Sequence, residues 1–447
     1  MDNTLAYLDQ VFFLSQRALG HGPLVQMTWI YGRDVDREGL RRFLRNLARG
    51  YLGRRVEPSP LPFGRHRWIT WPGPADVEVS PKPVPRQSVP AWIDQQAAIP
   101  IDSELRPWRL ALQPLTEGGA AVTLVVSHNI ADGVGLLNAV AAAVRGETTD
   151  LGYRDTTARS KTAALAEDAR EVLRTVPDMA RAMATLPEAA RDLSRWSPQG
   201  RLARRSTRRR VTRAALRQPV VLQSVTVHVD GRLWDQRAQS LGGTSTSLFL
   251  GMAARLGAAL GWADDDGSVN LVMPVSERTG DDTRGNALTG VTLSVQPETV
   301  TTDLTEIRAG VKQALSALSE EPITIGGPLP LTPLIPKVVA RRVEIKALQN
   351  RIISCSTLGE LDPAVNRPDG TDAEWYAIRG VWNTLSCRGR PIQRSGGLLF
   401  PLETGRVNGT VFVSVCFASA DPDFAPGRLR YSVSRILADF GLTGTVE

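Results

Sequence analysis

The sequence predicts a mixed α/β (α+β) protein built as two lobes, each a mixed sheet with helices. Three observations carry that expectation. Short β-branched apolar runs alternate with helix-spaced apolar stripes along both halves of the chain. A length of 447 residues is too much for one ordinary core, and 42% apolar content is ample for burial. The composition also changes after about residue 150, which separates residues 1–152, a first lobe, from a helical and arginine-rich linker over 153–217 and a second lobe over 218–447. No internal repeat is evident.

Residues 1–20 read as a short helix with Leu5, Leu8, Phe12 and Phe13 on one side. Gly22 to Tyr31 reads as a strand, and Asp36 to Leu47 as a helix with Asp36 at its N-cap and Leu40, Phe43, Leu44 and Leu47 as its stripe. Positions 54–107 are rich in proline and are expected to cross irregularly, with Trp68, Trp71 and Trp92 as packing anchors and Trp108 just beyond. Leu110 to Leu115 and Ala121 to Val126 flank Thr-Glu-Gly-Gly, a hairpin signal. Between Leu165 and Leu193 apolar residues recur at steps of four and three, a narrow stripe that Pro177 and Pro187 are expected to break.

The second half opens on a strand-like alternation, Val221 to Val229, and a helix-like segment from Ser245 to Leu260 capped from Thr244 to Thr246. Asn270 to Val275 and Leu288 to Val295 read as strands around a polar loop, residues 276–286. Residues 322–336 are a proline- and glycine-rich passage. Gly397 to Phe400 and Val411 to Phe417 read as strands, and Arg428 to Phe440 as a closing helix.

The stretch of greatest chemical interest is AVTLVVSHNIADGVGL, residues 121–136. Its apolar run ends in Ser127 and His128, and Leu136, Leu137, Val140 and Val144 then recur at helical spacing. His128 is thus expected where a strand gives way to a helix, with Asp132 in the same turn. Rigid elements on both sides would let the imidazole present one nitrogen to a cavity, as a general base requires.

His128-Asn-Ile-Ala-Asp132-Gly133 resembles the His-x-x-x-Asp-Gly signature of the chloramphenicol acetyltransferase-like superfamily, which includes peptide-synthetase condensation domains and the wax ester synthase/diacylglycerol acyltransferase family. The latter is the nearer likeness. Leu8-Asp9 with Phe12-Phe13-Leu14, Leu105-Arg-Pro107-Trp108, Met273-Pro-Val-Ser276 and Gly285-Asn286 resemble its opening, Pro-Leu-Trp, Pro-Val-Ser and Gly-Asn segments in the same order. The chain departs from it where Ser127 replaces the first of two histidines, where Thr246-Ser247 stands for an Asn-Asp pair, and at Ser354-Cys355-Ser-Thr-Leu-Gly359.

The resemblance implies two chloramphenicol-acetyltransferase-like lobes with an active-site channel between them. It also implies acyl transfer from acyl-CoA or an acyl carrier protein to an alcohol, giving an ester, with His128 as general base and no other cofactor. Amide formation on an amine and a non-catalytic condensation-like binding module are the alternatives. Asp132 is expected to be paired to an arginine, Arg54 or Arg55, between which the sequence does not choose. Gly133, Asn286 and Ser276 are expected to bind the oxyanion or substrate.

The remaining features narrow the function by exclusion. The sequence has no Gly-x-Ser-x-Gly elbow, no Walker loop and no dinucleotide fingerprint, since Gly133-Val-Gly135 lacks the third glycine. Cys355, Cys387 and Cys416 are odd in number and unpaired in spacing, which predicts buried or free thiols in a reducing compartment and no metal. Asp264-Asp-Asp-Gly and Asp281-Asp282 read as turn formers. Of the 17 residues from Arg201 to Arg217, eight are arginine and none is acidic, which exceeds the whole net charge of +7. A solvated linker, or contact with anionic lipid or an acidic carrier protein, accounts for this segment. A nucleic-acid partner is not expected, because no reading element accompanies the charge. With no signal-like N-terminus and no long apolar run, the expected location is cytoplasmic, with a possible peripheral contact at the inner membrane face.

Overall fold

The computed structural model describes residues 3–20, 22–154, 159–196, 221–280, 282–320, 328–347, 351–382, 397–419, 424 and 427–447; for 187–196, 221 and 344–347 it describes the backbone alone. Arg201–Arg217 and Cys387, and with them the expectations of an anionic-surface contact and of a third thiol, lie outside the described residues.

Helix α1 (Tyr7–Leu19) precedes β1 (Pro23–Tyr31), α2 (Arg37–Ala48), β2 (Arg54–Glu57), β3 (Arg67–Thr70), β4 (Glu78–Val79), α3 (Val89–Ala98), β5 (Trp108–Pro114), β6 (Ala120–Ser127), α4 (Gly133–Arg145) and the long α5 (Lys161–Trp196). The second half contributes β7 (Val221–Asp230), α6 (Gly231–Ser240), α7 (Ser245–Ala259), β8 (Val269–Ser276), β9 (Leu288–Val295), α8 (Thr305–Glu320), α9 (Lys337–Ala347), β10 (Ile352–Glu360) and β11 (Trp375–Trp382). It ends with β12 (Leu398–Leu399), β13 (Leu402–Val407), β14 (Thr410–Ser419), α10 (Arg428–Asp439) and β15 (Thr445–Val446).

Among the described residues these strands form two main sheets, one per lobe. The first has the order β11-β1-β6-β5-β4, and the second β15-β7-β14-β13-β10-β8-β9 with β12 beside β14. Strand β11 belongs to the second half of the sequence yet pairs antiparallel with β1, from Pro23↔Trp382 to Ile30↔Trp375. The first lobe is therefore completed by a strand from beyond residue 218, which no local pattern reveals.

Alternation along β1 and β6 sends Met27, Trp29, Tyr31, Val122, Leu124 and Val126 to one face, where they pack with Leu40, Phe43 and Leu44 of α2 and Leu136 and Val140 of α4. The opposite face is mixed: Ile30 and Ala121 pack with Trp92 and Ile93 of α3, Leu24 packs with Val125 and Val381, and Arg379 of β11 donates to Gln26 Oε1 and pairs with Asp94 of α3 at 2.7 Å. The β5–β6 hairpin turns on Gly118 and Gly119, both at positive φ. A Cβ at Gly119 would lie 2.1 Å from the Tyr31 carbonyl, so the turn requires glycine there.

Local signals met their counterparts at several helix ends. Asp36 accepts the Glu38 amide at 3.0 Å, and Thr244 accepts the Ser247 amide at 3.2 Å, each N-cap contributing about 1 kcal/mol. Two expectations fail. The proline-rich passage is not irregular throughout, because it holds the β2–β3 hairpin and α3, whose second residue is Pro90 and so sits where a helix lacks an amide partner anyway. Helix α5 runs 36 residues without breaking at Pro177 or Pro187. Asp168, Thr175 and Ala182 are buried along one of its faces, and this tertiary contact outweighs the local penalty.

Candidate active site

His128 is the first residue beyond β6, and its amide donates to the Pro23 carbonyl at 2.9 Å. Its half-buried ring stacks on Phe12 of α1, with centroids 5.2 Å apart and planes 11° from parallel. The decisive contact comes from the other lobe: His128 Nδ1 lies 2.9 Å from Oδ1 of Asn286, in the loop between β8 and β9.

The direction of that hydrogen bond follows from its neighbours. Asn286 Nδ2 donates to Asp9 Oδ1 at 2.9 Å and to the His128 carbonyl at 3.1 Å. Both partners are acceptors, so the amide nitrogen must face them and its oxygen must face the ring. Nδ1 therefore carries the proton, and Nε2 keeps the lone pair. Burial holds the His128 pKa below its ordinary value, against the Asp132 charge and the hydrogen bonds that its own carbonyl and Asn286 accept. A neutral imidazole with a free Nε2 is a base in waiting.

Asp9 anchors Asn286. It is fully buried on α1, and its carboxylate accepts the Gly285 amide at 2.9 Å and the Asn286 amide at 2.6 Å. Burial pushes its pKa up, while Asn286, the Arg54 charge and these amides pull it down. Gly285 is obligatory here, since a Cβ would come within 2.7 Å of the Asn129 carbonyl and 2.8 Å of Asp9 Oδ1.

Asp132 caps α4, its Oδ1 accepting the Gly135 amide at 2.7 Å. Its Oδ2 accepts the Ala287 amide at 2.9 Å and a 2.8 Å ion pair from Arg278 Nη2. The expected arginine was thus misplaced. Arg54, buried and stacked over Tyr51 and Trp68, reaches the backbone carbonyls of Ile130 and Thr283, while Arg55 donates to the Glu104 carbonyl. Arg278 wins Asp132 because its Nη1 is also held by the Asp282 and Arg284 carbonyls, which aims the guanidinium out of its own loop toward α4. Both arginines bind the two lobes together at this point.

Asn286 and Ser276 are both engaged within the protein. Asn286 cannot donate its side-chain amide to a substrate, because both hydrogens are already committed. Ser276 is exposed at the end of β8, and its Oγ accepts the Arg278 amide at 3.2 Å. Gly133 is half-buried at the first position of α4, where helix amides begin without intrahelical acceptors. Ser127, which replaces a histidine of the likeness, lies in a buried polar cluster, 2.9 Å from Ser103 Oγ, with Asn129 and Gln16 alongside.

Sequence reading missed Asp9, Phe12, Tyr51 and Arg278 as parts of this site. Asp9 did leave a trace: it is an acid placed among Leu5, Leu8, Phe12 and Phe13 on a helix that must bury them. A cavity of about 550 Å³ also opens between the lobes, lined by Gln26, Thr28, Asp94, Ser224 and Arg379 among others, but His128 is not part of its wall. Cys355 and Cys416 are buried free thiols. Among the described residues no helix is long and apolar enough to cross a membrane.

No protein-family profile matches the sequence, and no curated protein matches it. Solved structures do. The first condensation domain of the calcium-dependent antibiotic synthetase, in complex with a substrate analogue, has a TM-score of 0.56 at 16% identity, over 98% of this chain and 96% of that one. The fold is that of condensation domains. The condensation domain of the monacolin K polyketide synthase shares this condensation fold with a TM-score of 0.52 at 12% identity, covering 98% and 96% of the two chains. Polyketide synthase associated protein 5 from Mycobacterium tuberculosis does so with 0.51 at 12%, covering 98% and 97%. Two condensation-type lobes, each a sheet with helices, are therefore the architecture of this chain, and the wax-ester-specific part of the sequence likeness gains nothing from these comparisons.

Proposed function

We propose that this chain is an acyltransferase that moves an acyl group from a thioester, acyl-CoA or an acyl carrier protein, to an alcohol, forming an ester of the wax ester or acylglycerol kind. The observation that carries the reading is the contact of His128 Nδ1 with Asn286 Oδ1, which leaves Nε2 as the acceptor nitrogen. In the proposed step the acceptor hydroxyl gives its proton to Nε2 as its oxygen attacks the thioester carbonyl. The tetrahedral adduct collapses, the carbon–sulfur bond breaks, and the proton passes from Nε2 to the leaving thiolate. No acyl-enzyme forms. The developing oxyanion would be met by the Gly133 amide at the start of α4. Asp132 fixes the turn, its oxygens engaged by Arg278 and by backbone amides.

The condensation fold supports a second reading, in which the acceptor is an amine, free or carrier-bound, and the product is an amide. Purified protein incubated with acyl-CoA of several chain lengths and panels of alcohols and amines separates the two by product mass. Ester formation lost in His128→Ala, with the fold retained, is the expected result, and general-base loss should lower the rate by about a hundred to ten thousandfold. Turnover of His128→Ala at the native rate would refute the assignment.

A further inference from the structure

The strip from Leu334 to Val343 is exposed at every residue except the half-buried Ala340. It carries five large aliphatic side chains: Leu334 is 51% exposed, Ile335 43%, Val338 62%, Val339 44% and Val343 60%. At 100° per residue, Val338, Val339 and Val343 of α9 fall within an arc of about 140° on the side turned from Ala340. Arg342 lies inside that arc, Arg341 stands about 60° outside its edge, and Lys337 is on the opposite side of the helix. The turn before α9, Leu329–Leu334, packs against α5, on which Leu173, Val176 and Met183 are 72%, 49% and 61% exposed.

From this juxtaposition we infer that the outer face of α9, continued by the neighbouring face of α5, is a contact surface for a bilayer containing anionic lipid. Aliphatic side chains on an exposed helix face, with Arg342 among them and Arg341 close by, match the acyl–headgroup boundary, where apolar groups enter and arginine meets phosphate. A protein partner would call for a shaped pocket with aromatic anchors, and the strip from Leu334 to Val343 contains no aromatic residue. Helix α9 also packs on α1, the helix that carries Asp9 and Phe12, so the bilayer contact would stand beside the site. The inference adds a surface that the arginine-rich segment 201–217 does not supply, because arginines alone attract a membrane without anchoring in it.

Flotation of the full chain with phosphatidylcholine vesicles, with and without phosphatidylglycerol, tests this independently of catalysis. The wild type is expected to float with the anionic vesicles. The double variant Val338→Asp/Val343→Asp should lose about tenfold or more of that partition, whereas Leu233→Asp on α6 should not change it. Near-ultraviolet circular dichroism establishes that the variants fold. Failure of the wild type to float, or unchanged flotation of the double variant, would overturn the inference whether or not the protein transfers acyl groups.

Discussion

Replacing Asn286 by alanine tests the chemistry most directly. In the native site Asn286 Oδ1 receives the Nδ1 proton of His128 at 2.9 Å, and its removal leaves that donor without the partner that selects the tautomer. A net neutral hydrogen bond contributes about 0.5–1.5 kcal/mol, and an unsatisfied buried donor costs about 1–3 kcal/mol. Converted to populations, the larger of these figures gives a loss of about fivefold to a hundred-and-fiftyfold in the fraction of enzyme holding Nε2 unprotonated and aimed, with tenfold to a hundredfold as its middle range. The ceiling is the whole general-base contribution, about a hundred to ten thousandfold. We therefore expect kcat/KM to fall about ten- to a hundredfold, chiefly in kcat. The pH profile adds a second readout. Catalysis needs neutral His128, so activity falls as pH drops through its pKa, which burial places below the ordinary imidazole value. The Asn286 hydrogen bond raises that pKa, so losing it should move the acid limb lower still. Destabilisation alone would leave the limb where it was. A variant within twofold of wild-type kcat/KM, with an unmoved acid limb, would refute the tautomer argument.

Further predictions concern the frame of the site. Gly285→Ala should disable it without touching the imidazole, because the new Cβ meets backbone at the Asn129 carbonyl and must displace Asn286; steady-state kinetics should show a loss of at least about tenfold in kcat. Arg278→Met leaves the Asp132 carboxylate buried without its cation and should lower unfolding free energy by about 3 kcal/mol in a denaturant titration, whereas Arg55→Met should cost far less. Equal losses would contradict the ion-pair assignment. His66 is held neutral in the fold, its pKa pushed down by burial to about 3. The unfolded chain takes up that proton below pH 6.5 or so, so stability should decline as pH falls from there toward 3, by up to about 1.4 kcal/mol per unit from this group. His66→Gln should flatten that part of the melting-temperature profile, and an unchanged slope would count against it.

Much of the architecture was legible because it is written at short range. The β6–α4 passage around His128 shows a strand period giving way to a helix period within a dozen residues. The caps at Asp36 and Thr244 and the Gly118–Gly119 turn likewise need only neighbours. Pro177 misled the reading because the penalty it predicts is local, whereas the contacts along the buried face of α5, which stays helical past it, are not.

What the sequence by itself determined is which residue types could do chemistry and on which kind of element each would sit: His128 after a strand, Asp132 before a helix, Asn286 in a polar loop. Which of them meet was decided only by the tertiary structure. Asp132 found Arg278 rather than Arg54 or Arg55 across a separation of 146 residues, and Asp9 found Asn286 across 277. Strand β11 crossed into the first sheet from the far half of the chain. The physical reason is the same in each case. A carboxylate, an amide or a sheet edge specifies the kind of partner it needs, and local periodicity carries no information about which distant group of that kind packing will bring within reach.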